Sequence, residues 1–348
     1  LDREEVFLDN EAISRYLKQK RILITGAGGS IGAELVRQAC RFNPSAVALL
    51  EMSELNLFRM EAECKQRFGF VDTPGYLVDI RRRGALEKVF QDFCPQIVFH
   101  AAAYKHVPLQ ELHPWEAVYN NVMGSQNLTE AAAKHKAERF VLVSTDKAVR
   151  PINVMGATKR LSEMLVESMG KRSSTNFLAV RFGNVIASSG SVSRTFQDQI
   201  ARGGPVTVTH PEVTRYFMSI SEAAQLILQA GAMGRGGETF ILDMGKPVRI
   251  LDMVHDLIRL NGLEPEVDIP IQFIGLRPGE KLYEELITEG EGIVPTDHEK
   301  ILVLRGDGYN YESLNKKIDE LLLVADTYDA TAIKKKLKEI IPEYTPQF

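Results

Sequence analysis

Cysteine is scarce: three residues, Cys40, Cys64 and Cys94, stand far apart in a chain of 348. An odd count with no C-x-x-C spacing excludes a disulfide framework and a zinc knuckle, and a reducing compartment fits best. Long apolar runs are missing too. No stretch approaches the ~18 apolar residues needed to cross a bilayer, and no signal peptide precedes the first strand, so this segment is expected to make no membrane contact. Neither sign of charge is in excess: 42 Lys and Arg stand against 46 Asp and Glu, a net charge of −4. That balance argues against nucleic acid as a partner. The basic runs Arg81–Arg83 and Lys334–Lys336 read as solvated faces. The seven histidines show no metal-ligand spacing, so no metal is expected.

What remains is an average globular composition, 44% hydrophobic and 25% charged, in a length that suggests two lobes at roughly 150 residues each. The chain begins at Leu1 rather than Met and is expected to be cut from a longer parent.

Apolar strand-like runs alternate with amphipathic segments through the first half. Strands are expected at Arg21–Thr25, Ala46–Glu51, Gly75–Asp79, Gln96–Ala101, Arg139–Thr145 and Phe177–Phe182. Helices are expected at Ile31–Arg41, Leu55–Phe68, Leu86–Phe93, Glu116–His135 and Ala157–Met169. This alternation implies right-handed crossovers and an α/β fold, a doubly wound parallel sheet covered on both faces. After about Val185, glycine- and proline-rich punctuation breaks the rhythm and predicts a smaller, loop-rich C-terminal substrate lobe. The expected division is a lead-in at 1–18, a dinucleotide-binding domain at 19–186, a lobe at 187–305 interleaved with it, and helices with a charged outer face at 306–348.

The first strand runs into Thr25-Gly26-Ala27-Gly28-Gly29-Ser30-Ile31-Gly32, followed by a helix. Gly26, Gly29 and Gly32 fit the needs of a tight turn, close approach to a pyrophosphate, and helix–strand contact. The helix start, with Ser30 and Ile31, offers N–H groups and positive dipole to phosphates. Glu51, nineteen residues past Gly32 at the end of the second strand, is placed to accept bonds from ribose hydroxyls and to repel a 2′-phosphate, which favours NAD over NADP. Arg59 nearby softens that preference. Asp79 and Ile80 are candidates for the adenine, although Asp79 reads equally as a turn aspartate. Ala101 and Ala102 leave room for a flat cofactor against the end of the fourth strand.

The most informative passage is Ser144-Thr145-Asp146-Lys147-Ala148-Val149, followed by Asn153-Val154-Met155-Gly156-Ala157-Thr158-Lys159. Read alone, Asp146 and Lys147 make an ordinary strand-end ion pair, and Met155 an ordinary core residue. With His100–Pro108 (HAAAYKHVP), however, these motifs resemble the extended short-chain dehydrogenase/reductase superfamily, and more closely the large, membrane-anchored bacterial UDP-N-acetylglucosamine 4,6-dehydratases. The likeness runs from about Val6 to Leu286. A Rossmann-like fold and resident NAD are what it implies. The superfamily's Tyr-x-x-x-Lys pair is here Met155 and Lys159, and a thioether cannot move a proton; methionine at that place resembles the large dehydratase subgroup.

The resemblance also implies roles. Lys159 would hold the nicotinamide ribose, Thr145 would bond the sugar C4 hydroxyl, and Asp146 and Lys147 would serve as acid at C6 and base at C5. Those last roles call for a lowered lysine pKa and a raised aspartate pKa. Lys105 would position cofactor or substrate; His106 reads equally as a packed or solvent-facing imidazole. Three segments, Arg181–Val185, Thr214–Phe217 and Arg277–Lys281, answer the needs of UDP. Asn184 would meet the phosphates, Arg215 and Arg277 the diphosphate, and Glu280 the uridine ribose. A C4 epimerase and a non-catalytic dinucleotide sensor are the competing readings. The family pattern further implies retention at C5, a parent on the cytoplasmic side of a bacterial inner membrane, and pairing of copies, with Ala157–Met169 as a candidate face.

Overall fold

The computed structural model describes residues 6–347 except 189, 288–291, 305 and 307. Six strands follow the expected order: β1 Arg21–Thr25, β2 Ala46–Glu51, β3 Gly75–Leu77, β4 Ile97–His100, β5 Arg139–Val143 and β6 Asn176–Arg181. Three more join the same sheet, β7 Glu238–Leu242, β8 Ile293–Pro295 and β9 Ile301–Leu304. The nine stand in the order β8-β9-β7-β6-β5-β4-β1-β2-β3. Strands β1 to β7 are parallel, and β8 and β9 add antiparallel pairs at one edge.

Both faces are covered, which is why the strands read as unbroken apolar runs. Ile22 and Ile24 of β1 point into one core with Val47 and Leu49 of β2, while Leu23, Ala48 and Leu50 point into the other. Each full burial of such a side chain is worth ~1.5–3 kcal/mol. Strand order reverses between β1 and β4, and in such sheets the crevice beyond the carboxyl ends at the reversal takes the ligand.

The helices are α1 Asn10–Leu17, α2 Ser30–Cys40, α3 Glu54–Arg67, α4 Arg83–Phe93, α5 Val107–Leu112, α6 Gly124–Lys134, α7 Val154–Gly170, α8 Val192–Ala201, α9 Ile220–Met233, α10 Ile250–Leu260, α11 Tyr311–Ala325 and α12 Ala330–Ile340. The helix expected at Glu116–His135 is not continuous. A short helix, Pro114–Ala117, passes into a π-helical turn, Val118–Met123, before α6 begins. Helix α7 starts three residues earlier than expected, because the Asn153 side chain accepts the Gly156 N–H and caps it.

Outside the sheet, α8 and α10 enclose a separate apolar cluster with Val206, Val208, Val213 and Phe217. The terminal helices α11 and α12 lie on α7: Leu314, Ile318, Leu321, Ile333 and Leu337 pack with Leu161, Met164 and Leu165. The Ala157–Met169 face expected to meet a second copy is therefore covered by the chain's own terminal helices. Among the described residues, no helix is long and apolar enough to cross a membrane.

Candidate active site

At the β1–α2 junction, Gly26 takes φ +65°. A Cβ on Gly32 would overlap the Gly26 carbonyl oxygen, so the first turn of α2 rests directly on the loop. Gly29, the N-cap, brings no side chain over the first turn, and Gly29, Ser30, Ile31 and Gly32 line the crevice, so the N-terminal end of α2 and its dipole border it. Glu51 reaches back to this loop. Its Oε2 accepts the Gly28 N–H at 3.0 Å and its Oε1 accepts those of Met52 and Ser53, each at 3.0 Å. Helix end and adjoining carboxylate fit the pyrophosphate and adenosine ribose of a dinucleotide.

Further out, Asp79 behaves as a turn residue. Its carboxylate is gripped by the Arg81 guanidinium at 2.7 Å and by the Arg81 N–H at 2.9 Å. Burial pushes its pKa up, but Arg81 outweighs this and holds the carboxyl below its usual range. Ile80 is buried in the sheet core, its side chain against Gly124.

The β4 end is locked from behind. His100 is buried between the hydroxyls of Thr25 (Nδ1, 2.8 Å) and Ser125 (Nε2, 3.0 Å), and burial, with Lys159 adding to it, keeps the imidazole neutral. Asn121, in the π-helical turn, clamps the following loop: its Oδ1 accepts the Tyr104 N–H at 2.8 Å and its Nδ2 donates to the Tyr104 carbonyl at 3.0 Å. Such turns often mark functional places in helices, and here the wider turn faces the loop of Ala101, Ala102 and Lys105.

After β5, Thr145 caps a single 3-10 turn, Asp146–Ala148. Asp146 is fully buried, and its Oδ1 accepts the Thr145 hydroxyl at 3.0 Å. Lys147 Nζ lies 3.0 Å from Asp146 Oδ1, 3.2 Å from Asn184 Oδ1 and 3.3 Å from Glu284 Oε1. Burial alone would lower the Lys147 pKa, but the Asp146 and Glu284 carboxylates prevail and raise it. This reverses the lowered lysine pKa expected of a base: in this arrangement Lys147 is an ammonium. Asp146 Oδ2 is buried without a hydrogen-bond partner, beside Gly183.

Lys159 behaves oppositely. It is buried on α7 one turn beyond Met155, and burial, opposed only by Glu163, pushes its pKa down to about 8. Glu163, a further turn on, accepts the Ser144 hydroxyl at 2.6 Å and pairs with Arg181 at 2.8 Å. Arg181, in a segment expected to serve UDP, is thus a buried ion-pair partner beneath the end of β5.

Arg215 is buried, donating to the Thr214 and Leu282 carbonyls and pairing with Glu280 at 3.2 Å and Glu284 at 3.7 Å. Arg277 is more exposed and lies 3.4 Å from the other Glu280 oxygen. Lys105 Nζ donates to Ser188 at 3.3 Å; burial, then Arg194, lowers its pKa.

One cleft of about 950 Å³ joins these pieces. Its walls include Gly29, Ser30, Ile31, Gly32, Ala101, Lys105, Thr145, Lys147, Met155, Lys159, Asn184, Arg215, Arg277 and Glu280. Gly26, Glu51, Asp79, Ile80, Ala102 and the buried Asp146 do not line it. Glu284, which does, has no motif of its own in the sequence. It becomes visible only when the Arg277–Glu285 loop is folded over the Asp146–Lys147 turn.

The family model for polysaccharide biosynthesis proteins matches residues 22–306. The chain belongs to this family. It is similar to the capsular polysaccharide biosynthesis protein CapD of Staphylococcus aureus, 48% identical over 92% of this chain, and spans 54% of that protein, about half its length. It is also similar to a UDP-glucose 4-epimerase of Rickettsia bellii, 34% identical over 78% of this chain and 79% of that one. The solved structure of Pen from Bacillus thuringiensis superposes with a TM-score of 0.78 at 31% identity, covering 88% of this chain and 99% of that one. The fold is shared with the dTDP-glucose 4,6-dehydratase DesIV of Streptomyces venezuelae, solved with NAD bound (TM-score 0.68, 21% identity, 77% and 88% covered). This agrees with the expected extended short-chain dehydrogenase/reductase type, whose fold is shared by nucleotide-sugar dehydratases and epimerases, among them DesIV and a Thermus thermophilus UDP-glucose 4-epimerase, both solved with NAD.

Proposed function

We propose that the chain is a lyase that performs NAD-dependent 4,6-dehydration of UDP-N-acetylglucosamine, giving a UDP-4-keto-6-deoxy sugar. The observation that carries this reading is the meeting of Thr145 and Lys147, backed by Asp146, with Lys159 in a cleft that runs from a dinucleotide cradle to the cationic Arg215–Arg277 loops.

The C5 hydrogen of a hexose is not acidic until C4 is a ketone. When bound, the nicotinamide would accept hydride from C4 and return it to C6. The glycine loop, α2 and Glu51 would hold the pyrophosphate and adenosine ribose, with the small Ala101 and Ala102 beside the rest of the cofactor and only the backbone of Asp79 and Ile80 left to meet it, their side chains being taken by Arg81 and by the core. Lys159 would hold the nicotinamide ribose and place positive charge near the C4 oxygen, whose hydroxyl Thr145 would bond. Asp146, although buried behind the cleft wall in this arrangement, would serve as the acid toward the leaving C6 hydroxyl, and Lys147 would take a proton from C5. For that, Lys147 must first pass a proton to a neighbouring carboxylate, and Asp146, at 3.0 Å, and Glu284, at 3.3 Å, are both within reach. Met155, a thioether where relatives of the superfamily carry tyrosine, leaves Thr145 and Lys159 to manage the C4 proton. Lys105, Asn184, Arg215, Arg277 and Glu280 would take the diphosphate and uridine.

A C4 epimerase is the second reading, favoured by the Rickettsia relative. Epimerisation requires no proton transfer at C5 or C6, so it leaves Asp146 and Lys147 without employment. A sensor without turnover is the third. Incubation of the purified chain with NAD and UDP-N-acetylglucosamine separates them by mass spectrometry. Loss of one water supports dehydration; unchanged mass with a new C4 epimer supports the second reading, and unchanged substrate the third. The parent is proposed to be anchored in a bacterial inner membrane, with this part on its cytoplasmic side; a relative at 44% identity, MJ1061 of Methanocaldococcus jannaschii, is described as a membrane protein.

A further inference from the structure

The loop bearing Arg277 and Glu280 is fastened to the start of α7 through Gly279, between those two residues. Gly279 has φ +77°, and a Cβ there would stand 2.8 Å from Asn153 Cβ and 3.0 Å from Val107 Cγ1. Both its backbone polar groups are held by side chains from elsewhere. Its carbonyl accepts from Asn153 Nδ2 at 2.9 Å, and its N–H donates to Gln347 Oε1 at 3.0 Å. Asn153 works with both ends of its amide, since Oδ1 accepts the Gly156 N–H at 2.7 Å as the cap of α7.

The surroundings are fixed as well. Glu111 accepts the Val154 N–H at 2.6 Å and pairs with Lys334 at 2.7 Å, while Lys334 also donates to the Gln347 carbonyl at 2.8 Å. The Thr345 N–H bonds to the Pro151 carbonyl at 2.9 Å. Asn153 is 2% exposed and does not line the cleft, so it reaches neither cofactor nor sugar. Met155 and Lys159 nonetheless follow it by two and six residues on the helix it caps.

We propose that Asn153 is a positioning residue that couples the nucleotide-sugar loop to the catalytic helix, with the tail residue Gln347 as its counterpart. The proposal rests on reading 277–280 as the UDP-contacting loop. With the Gly279 carbonyl held, Arg277 and Glu280 occupy one arrangement relative to Lys159. Released, the loop populates others, and apparent affinity falls by the fraction of molecules out of place.

The substitution Asn153→Asp isolates the effect. A carboxylate still caps α7, but it cannot donate to the Gly279 carbonyl. Calorimetric titration with UDP and, separately, with NAD is the readout, alongside thermal melting. Asn153→Asp is expected to weaken UDP about tenfold, the equivalent of about 1.4 kcal/mol, and to leave NAD affinity unchanged, while the buried carboxylate facing a carbonyl lowers the melting midpoint; the unchanged NAD affinity separates coupling from a general loss of structure. Gln347→Ala is expected to weaken UDP in the same sense by a smaller factor, again without touching NAD. Wild-type UDP affinity in Asn153→Asp would overturn the coupling, as would a matched loss of UDP, NAD and thermal stability. Because UDP binding is read without turnover, an unmutated chain that binds UDP but removes no water would refute the proposed reaction and leave the coupling standing.

Discussion

Lys147, half-buried, and Lys159, buried, line the same cleft, yet their surroundings push them in opposite directions. Two carboxylates keep Lys147 charged, whereas Lys159 is left to burial and a single more distant glutamate. If Lys147 exchanges protons with the sugar, Lys147→Met should lower kcat by ~10²–10⁴, the usual worth of general acid–base catalysis. Affinity for NAD should stay, because the glycine cradle is untouched; steady-state kinetics and a binding titration check both. The pH dependence follows from Lys159. It carries its charge below a pKa of about 8 and loses it as pH rises through that value. The pH profile of kcat/KM should therefore fall on the alkaline side near pH 8, and Lys159→Arg, which keeps its charge, should abolish that limb. At this scale the sequence shows Thr145, Asp146, Lys147 and Lys159 because they are consecutive or helically spaced. It hides Glu284 and Asn121, whose importance comes from which residues they meet across more than a hundred or just under twenty positions: Glu284 against Lys147, and Asn121 against Tyr104.

Among elements, β1, β2, β4 and β5 were legible because a strand buried on both faces is a short continuous apolar run between turn signals. The strands β7 and β9 are equally apolar, ETFIL and ILVL, but lie among glycine-rich punctuation, and their membership of the main sheet depends on long-range pairing, of β7 with β6 and of β9 with β7. The π-helical turn left no trace, since its residues continue a helical pattern. Helix α7 starts three residues before the apolar periodicity does, because the Asn153 side chain caps it ahead of the first periodic position. The terminal helices contribute no residue to the cleft wall, yet α11 completes the apolar layer over α7. Ile318→Ala should cost ~2–5 kcal/mol, the range for truncating a fully buried aliphatic side chain. Urea unfolding measures it, and a loss under ~1 kcal/mol would mean that α11 is not packed as described.

For the molecule as a whole, the sheet order, the crevice at its reversal and the family membership agree on the fold shared with nucleotide-sugar dehydratases and epimerases. The long motifs made that much readable beforehand; the covering of α7 by the chain's own terminal helices was not, because nothing local distinguishes a face that awaits a second copy from one already filled. The chemistry turns on whether hydrogen leaves C4 and comes back to the same sugar. UDP-N-acetylglucosamine carrying deuterium at C4, incubated with the chain and unlabelled NAD, decides this by NMR of the product. Internal return predicts one deuterium in the new C6 methyl group. Deuterium retained at C4 or lost to water would contradict it.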